Sequence, residues 1–220
     1  MFRIKICGIT NVEDAQGAVN AGVDAVGLNF YRGSPRYVTS KRAKAIVDAL
    51  PDEVTKVGLF VGASATEVCE TFEEFGLDMI QIHGEETPEY LARLGKRPLI
   101  RAFRIGQQQL YPVDDYLRRC GSLGCMPKMA LFDALVPGVY GGTGTLADWK
   151  VLRDYPLHPS HPPLVLAGGL TPQNVGDAIE IVGPSAVDVA SGVESSPGKK
   201  NSAAMASFVK AAKLAFEELA

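Results

Sequence analysis

The chain has 220 residues, of which 46% are hydrophobic and 21% are charged, a balance typical of folded domains and unlike disordered chains. The formal net charge is −3 and no basic run exceeds two residues, so a nucleic-acid partner is not expected. No apolar run approaches the roughly 20 residues of a membrane span, and the N-terminus lacks a signal peptide's apolar region. The four cysteines form no metal-binding spacing: Cys7, Cys69, Cys120 and Cys125. A cytoplasmic protein with reduced thiols and no metal is therefore expected.

Eight short runs rich in β-branched and apolar residues alternate with longer segments of helical periodicity. The predicted strands are Arg3–Cys7, Asp24–Phe30, Thr55–Val61, Leu77–Ile82, Leu99–Phe103, Met129–Asp133, Leu164–Ala167 and Ala186–Val189. Several are apolar at consecutive positions, as is typical of parallel strands that are buried on both faces.

Helix starts are marked by capping side chains between these strands. Residues 10–14 combine a cap with an acidic first turn, and hydroxyl side chains precede helices at 39–40, 64–67 and 87–89. Pro172 is predicted at the first position of a later helix, and the last helix spans about Ser202–Glu218. The irregular stretches Gly121–Lys128 and Tyr155–Pro163 are predicted loops.

Eightfold alternation of strand and helix predicts a closed (β/α)8 TIM barrel, forming one domain over residues 1–220. A doubly wound open sheet is the alternative, and it is disfavoured because no GxGxxG motif follows the first strand. In a closed barrel the active site lies at the C-terminal ends of the strands. Polar residues that end an apolar strand are therefore the first candidates for function.

Two strand-terminal side chains are suited to proton transfer. Cys7 ends the first strand, and a thiol at a barrel mouth can be tuned into a general base. Asp133 follows four apolar residues on strand six. Burying a carboxylate there costs free energy unless it is solvated, paired with a cation or needed for catalysis. The structural alternatives are a small buried hydrophobe for Cys7 and a helix cap or Arg partner for Asp133. Together, facing each other across one barrel, the two groups indicate acid–base work on one substrate.

Three glycine-rich segments surround the last two strands, at 141–145, 167–170 and 190–193. Backbone amides in such turns can cradle an anion, and the loops after strands seven and eight are the usual phosphate site of this barrel. Plain turns are the alternative, but the convergence of three such loops predicts a phosphate site.

Two further side chains lie on predicted loops at the same end. Arg36, after strand two, could form a two-pronged pair with a substrate carboxylate, although an exposed loop Arg often has no specific role. His83 ends strand four and could act as a catalytic acid or base. A structural or orienting role is favoured for this histidine.

A series of short motifs, in order along the chain, resembles the family of phosphoribosylanthranilate isomerases. The motifs are Lys5–Thr10, Phe30–Tyr31, Ser34–Tyr37, Val57–Val61, Gln81–Gly84, Asp133–Ala134, Gly141–Gly144, Leu166–Leu170, Val187–Val189 and Ser191–Glu194. They run from residue 4 to about residue 198, and their ordered combination is far more specific than any one of them.

The resemblance implies an Amadori rearrangement without a cofactor, in tryptophan biosynthesis. N-(5-phosphoribosyl)anthranilate, a small phosphosugar, would become 1-(2-carboxyphenylamino)-1-deoxyribulose 5-phosphate. Asp133 would be the general acid, Cys7 the general base, and Arg36 the ligand of the anthranilate carboxylate. The phosphate would be held by amides around Gly142, Gly144, Gly168, Gly169, Ser191 and Gly192.

The chain departs from the family pattern at four positions, none of which is a proposed catalytic group. Ala190 stands where the family usually has Ser, close to the phosphate. Thr145 and Ala147 replace the commoner Lys and Phe, and Gly62 replaces a frequent Asn.

Other functions fit the same barrel. A ribulose-phosphate epimerase or thiamin-phosphate synthase would need metal ligands or a pyrophosphate clamp, and the chain has only three histidines. A histidine-pathway isomerase would be expected to use two Asp residues, although that substrate could be turned over in a side reaction. A non-catalytic phosphate-binding barrel is the remaining alternative, and a monomer or homodimer is expected.

Overall fold

The computed structural model of the chain describes residues 1–105, 110–134 and 149–219. Within these ranges eight parallel strands close into a barrel, in chain order, with the last strand paired to the first. They are β1 (Ile4–Cys7), β2 (Ala25–Asn29), β3 (Thr55–Phe60), β4 (Met79–Ile82), β5 (Leu99–Ile105), β6 (Met129–Ala134), β7 (Leu164–Ala167) and β8 (Ala186–Val189). The predicted closed barrel is confirmed, and the open doubly wound sheet is excluded.

Helices follow the strands around the barrel. They are α1 (Val12–Ala21), α2 (Ser40–Asp48), α3 (Ala65–Glu74), α4 (Pro88–Arg93), α5 (Tyr111–Ser122), α6 (Val175–Val182) and α7 (Ser202–Glu218). Short 3₁₀ helices lie at Trp149–Asp154 and Ser191–Val193, and an antiparallel hairpin of β9 (Glu194–Ser196) and β10 (Lys199–Lys200) precedes α7. In the described part of the chain, no helix is both long and apolar enough to cross a membrane.

Side-chain caps fix where the first four helices begin. The side chains of Asn11, Thr39, Ser64 and Thr87 each accept a hydrogen bond from the backbone amide three residues later. Each cap satisfies one of the amides that a helix leaves unpaired at its N-terminus. The cap positions read from the sequence are therefore confirmed.

Several predicted boundaries are wrong. Strand β4 begins at Met79, two residues after the predicted Leu77, and β5 continues to Ile105, two residues beyond the predicted Phe103. Helix α6 begins at Val175, three residues after Pro172, because Asn174 first closes a turn: its side-chain oxygen accepts from the Thr171 amide at 2.7 Å. Helix α5 continues through Ser122, so the loop that was predicted to begin at Gly121 begins two residues later, at Leu123. The stretch 155–163 does lie outside helices and strands.

Strand alternation divides the core into two layers. Side chains that point into the barrel form one apolar cluster, which includes Met79, Ile100, Met129, Leu131 and Val165. The larger cluster packs between the outer faces of the strands and the helices, and includes Ile4, Ile6, Leu28, Ile80 and Phe132. Because successive residues of a strand face opposite sides, Asp133 shares the inward face of Met129 and Leu131. Lys5 and Cys7 likewise point inward, because they alternate along β1 with the outward-facing Ile4 and Ile6.

Candidate active site

Cys7 and Asp133 both lie at the C-terminal mouth of the barrel. Cys7 is the last residue of β1 and is 5% exposed, whereas the Asp133 side chain on β6 is 24% exposed. In the closed order of strands, β7 and β8 separate the two. Both reach the same space from different walls, an arrangement that suits a base and an acid acting at different atoms of one substrate.

Room for the Cys7 sulfur depends on a glycine on the neighbouring strand. Gly27 pairs with Cys7 in the register of β1 and β2. A Cβ atom at position 27 would lie 2.6 Å from the Cys7 sulfur and 3.1 Å from its Cα, closer than any ordinary contact. The absence of a side chain at Gly27 therefore lets the thiol occupy the inner wall.

A buried ion pair lies immediately below the thiol. The Lys5 ammonium donates to Asp188 Oδ1 on β8 at 2.8 Å, with side chains that are 0% and 8% exposed. Lys5 and Asp188 are register partners of β1 and β8. Transferring each of these charges out of water costs several kcal/mol. The attraction between the two charges does little more than offset this desolvation cost. The pair is therefore not explained by stability alone.

These charges act on Cys7 in opposite directions. Burial raises the pKa of the Cys7 thiol above its ordinary value, Lys5 opposes that shift, and Asp188 adds to it. Burial also acts to lower the pKa of Lys5, but the Asp188 carboxylate keeps it above its ordinary value. Lys5 is therefore charged at neutral pH, while the thiol form of Cys7 is favoured over the thiolate.

His83 contacts Asp133 at the mouth. Its Nε2 lies 3.3 Å from Asp133 Oδ2, and its Nδ1 lies 3.1 Å from Nε2 of the buried Gln81. An amide nitrogen only donates, so Nδ1 accepts and the ring proton sits on Nε2, facing the carboxylate. This arrangement agrees with the orienting role that is favoured for His83 over direct proton transfer to substrate.

Arg36 is held by an acidic residue that the sequence reading did not single out. Its Nε and Nη2 donate to the two carboxylate oxygens of Glu194 at 2.8 and 2.6 Å. Lys200 Nζ donates to the same carboxylate at 2.9 Å and to the Ala190 carbonyl at 2.9 Å. Burial acts to raise the pKa of Glu194, but the bonds from Arg36 and Lys200 hold it below its ordinary value. The carboxylate is therefore ionised at neutral pH and holds the guanidinium in place.

The pairing leaves one edge of the Arg36 guanidinium for another ligand. Of its five N–H donors, Glu194 takes one on Nε and one on Nη2, so among the described residues three remain on Nη1 and Nη2. The side chain is 22% exposed, which places that edge within reach of solvent. A forked contact with a second carboxylate is thus geometrically open.

The loops after β7 and β8 pack directly on each other. Gly192, in the 3₁₀ turn after β8, approaches the backbone after β7 so closely that an added Cβ would lie 1.8 Å from the Leu170 carbonyl oxygen. Gly169 has a left-handed φ of +65°, and a Cβ there would meet no atom of the described part of the chain within 4 Å. Gly168, Gly169, Ser191 and Gly192 are thus brought together, whereas Gly142 and Gly144 lie outside the described residues.

We expect Gly192→Ala to weaken phosphate binding, because the new methyl group must push the two loops apart. Overpacking of this kind costs about 1–3 kcal/mol of stability. Calorimetric titration with inorganic phosphate and thermal unfolding measure the two effects. Gly176→Ala in α6 is the matched control, since no atom of residues 1–105, 110–134 or 149–219 lies within 4 Å of its added Cβ and Ala favours a helix. Equal phosphate affinity in both variants would contradict the predicted role of these loops.

Two departures from the family pattern have simple structural explanations. Ala190 contributes its backbone carbonyl to Lys200, a contact that any side chain at this position allows. Gly62 has a φ of +66°, a conformation that Gly and Asn both tolerate, so their exchange here is conservative. Thr145 and Ala147 lie outside the described residues.

The sequence reading missed Lys5, Asp188, Glu194, Lys200 and Gly27 as members of the site. A signal existed for the first two, because each is a charged residue within an otherwise apolar strand, at inward-facing spacing. No comparable signal marks Glu194, whose partner Arg36 lies 158 positions away, or Lys200, which meets Glu194 through the turn of the β9–β10 hairpin.

Comparison with known proteins agrees with this geometry. The family model of N-(5'phosphoribosyl)anthranilate (PRA) isomerase matches residues 4–211. An N-(5'-phosphoribosyl)anthranilate isomerase of Acidithiobacillus ferrooxidans is 49% identical over 210 residues, covering 95% of this chain and 96% of the relative. The crystal structure of phosphoribosyl anthranilate isomerase from Thermotoga maritima aligns with a TM-score of 0.85 at 38% identity, covering 97% of this chain and 99% of that one.

A second solved structure, of a phosphoribosyl anthranilate isomerase, carries a ligand. It is a phosphoribosyl anthranilate isomerase in complex with reduced 1-(o-carboxyphenylamino)-1-deoxyribulose 5-phosphate, with a TM-score of 0.79, 35% identity, and coverage of 97% and 99%. The matches span nearly the whole chain at identities that show common descent. The chain therefore belongs to the N-(5'-phosphoribosyl)anthranilate isomerase family, as its ordered motifs predicted.

Proposed function

We propose that this chain converts N-(5-phosphoribosyl)anthranilate to 1-(2-carboxyphenylamino)-1-deoxyribulose 5-phosphate, with Asp133 as general acid and Cys7 as general base. Its family is one of isomerases in tryptophan biosynthesis, so the predicted enzyme class is confirmed. The observation that supports the two roles is the placement of a thiol and a carboxylate on different walls of one barrel mouth. The relative that holds a reduced form of the product fits a substrate of this class.

The first step opens the sugar ring. Protonated Asp133 gives its proton to the furanose ring oxygen, the bond from that oxygen to C1′ breaks, and its electron pair stays on the oxygen. The lone pair of the anthranilate nitrogen forms the C1′=N bond, giving a cationic imine. His83, whose Nε2 lies 3.3 Å from Asp133 Oδ2, contributes by keeping the carboxyl group in place.

The second step removes the C2′ proton, which the cationic imine acidifies. The Cys7 thiolate takes this proton, and the C–H electron pair forms the C1′=C2′ double bond while the imine electrons return to nitrogen. The resulting enolamine tautomerises to the ketone at C2′. An acid and a base acting in sequence suffice for the whole rearrangement.

Arg36 is suited to the anthranilate carboxylate. Its free edge offers donors on two nitrogens, which match the two oxygens of a carboxylate. Glu194 holds the opposite edge, so the guanidinium needs little further ordering when substrate binds. The phosphate at the other end of the substrate is assigned to the loops after β7 and β8.

We expect Arg36→Lys to raise KM by about tenfold to a hundredfold, the loss that corresponds to one charge-assisted hydrogen bond. The lysine ammonium keeps the charge but cannot bridge Glu194 and a second carboxylate in one plane. Steady-state kinetics with the natural substrate measure the effect. Arg32→Lys, an exposed arginine on the same loop, is the control and should leave KM unchanged. An unaltered KM in Arg36→Lys would remove Arg36 from the substrate site.

Turnover tests the assigned reaction itself. Phosphoribosylanthranilate is generated in place, and its loss is followed by the fluorescence of the anthranilate group. Loss well above the spontaneous rate is expected with the wild-type protein. No loss above that rate, with a folded protein, would reject the isomerase function and leave the phosphate site to be examined with other phosphosugars.

Several finer predictions belong to the same proposal. We infer one barrel domain over residues 1–220, a cytoplasmic location, a monomer or homodimer, and a reaction without a cofactor. A side reaction on the histidine-pathway aminoaldose remains a hypothesis, because both substrates are phosphorylated aminoaldoses. Absence of turnover with that compound would remove it.

A further inference from the structure

The placement of Lys5 raises a question that the barrel core does not answer. Its side chain is fully buried, and it lies on the inner wall among apolar neighbours with Asp188 as an acidic partner. Apolar residues of similar size commonly replace a buried ion pair without loss of stability. The buried Lys5 ammonium therefore needs an explanation other than stability, and a role in the reaction at the barrel mouth would supply one.

The position of Lys5 relative to Cys7 suggests that role. The two residues are separated by one position on β1, so their side chains leave the strand on the same face. The charge of Lys5 acts to lower the pKa of Cys7, and Cys7 in turn acts to raise the pKa of Lys5, so the two side chains are close enough to interact electrostatically. An ammonium has three donors, so one N–H can serve Asp188 while another serves the sulfur.

We propose that Lys5 is a positioning residue that stabilises the Cys7 thiolate by donating to its sulfur, and that Asp188 keeps Lys5 charged and aimed. The proposal rests on the role of Cys7 as general base. In the proton transfer, the thiolate gains the C2′ proton and becomes a neutral thiol, while Lys5 keeps all three of its protons. The ammonium thus favours the reactive form of the base without exchanging a proton with substrate.

The charges around the sulfur agree with this assignment. Cys7 is surrounded by Lys5 on its own strand, Asp188 on β8, Lys200 on β10 and Arg36 on the loop after β2. Burial disfavours the thiolate and raises the pKa of Cys7, and of the charged neighbours Lys5 opposes this most strongly. Lys200 opposes it less, and it is already bound to Glu194.

The test measures how the thiolate fraction depends on pH in Lys5→Met. Two readouts are followed together: the acidic limb of the pH profile of kcat/KM, and the rate of Cys7 alkylation by iodoacetamide. Peptide mapping separates Cys7 from the other three cysteines. Both curves should move to higher pH together, with kcat/KM near neutral pH lower by about tenfold to a hundredfold and recovering as pH rises. Lys5→Arg, which keeps the charge, should restore part of this loss.

Matched variants keep the result interpretable. Lys5→Met leaves Asp188 without its partner, so Lys5→Met/Asp188→Asn removes both charges and preserves folding if the single variant unfolds. Lys56→Met is the control, because Lys56 on β3 is also buried but alternates with the inward-facing Val57.

Folded Lys5 variants whose two curves superimpose on those of the wild type would overturn the proposal. Cys7→Ser separates this outcome from failure of the general-base assignment. If Cys7→Ser is inactive while the Lys5 curves do not move, only the role of Lys5 fails. If Cys7→Ser is fully active, the general-base assignment fails as well.

Discussion

We expect Asp133→Asn to lower kcat by about 10²- to 10⁴-fold, the contribution expected of a general acid. Asn has the same shape, and its side-chain oxygen can stand beside His83 Nε2 as Oδ2 of Asp133 does, so the local structure should be kept. It has no acidic proton to give to the ring oxygen. Ring opening would then proceed only at the rate that solvent supports, and anthranilate fluorescence measures the remaining turnover.

Asp115→Asn is the control for this substitution. Asp115 is exposed on α5, and its replacement should leave kcat unchanged. Thermal unfolding of both variants checks that they are folded. Retention of most of the wild-type kcat by Asp133→Asn would remove Asp133 from the acid role and leave it as a structural partner of His83.

Cys7→Ser lowers kcat by a similar factor of about 10²- to 10⁴-fold for a different reason. A hydroxyl group ionises far less readily than a thiol, so almost no anionic base exists at neutral pH. Serine is slightly smaller than cysteine, and the space beside Gly27 accommodates it. Steady-state fluorescence kinetics and single-turnover traces measure the loss.

Cys69→Ser on α3 is the matched control, because it makes the same chemical change at a half-buried position outside the barrel interior. Its kcat should equal that of the wild type. If Cys7→Ser were as active as Cys69→Ser, the inner-wall thiol would be a packing group, the role that free buried cysteines commonly have.

The strands could be predicted from the sequence because parallel strands that are buried on both faces leave a plain pattern. Leu164–Ala167 is an uninterrupted apolar run, and Thr55–Phe60 is apolar or β-branched except at Lys56 and Gly58. Both lie between segments of helical period, and each was placed to within one residue. Capping side chains gave the helix starts for the same reason, since the chemistry of a cap is local. The start of α6 was misplaced because Pro at a first helical position and Pro before a turn have the same local pattern.

Site residues could be predicted from the sequence only where a polar or reactive residue ends an apolar strand. Cys7 and Asp133 follow from the rule that the mouth of a barrel lies at the C-terminal ends of its strands. The Lys5–Asp188 pair depends on barrel closure, which joins residues 183 positions apart. The Arg36–Glu194 pair joins residues 158 positions apart through the β9–β10 hairpin. Contacts of this separation are set by tertiary structure, and the spacing of residue types does not reveal them.

The assignment of ring opening to Asp133 and of C2′ proton removal to Cys7 is tested most directly with substrate deuterated at C2′. The C2′ bond breaks only in the step assigned to Cys7, so Cys7→Ser should show a primary isotope effect on kcat. In Asp133→Asn ring opening limits the rate, and no such effect is expected. An isotope effect in Asp133→Asn as large as that in Cys7→Ser would contradict the assignment of acid and base to separate steps.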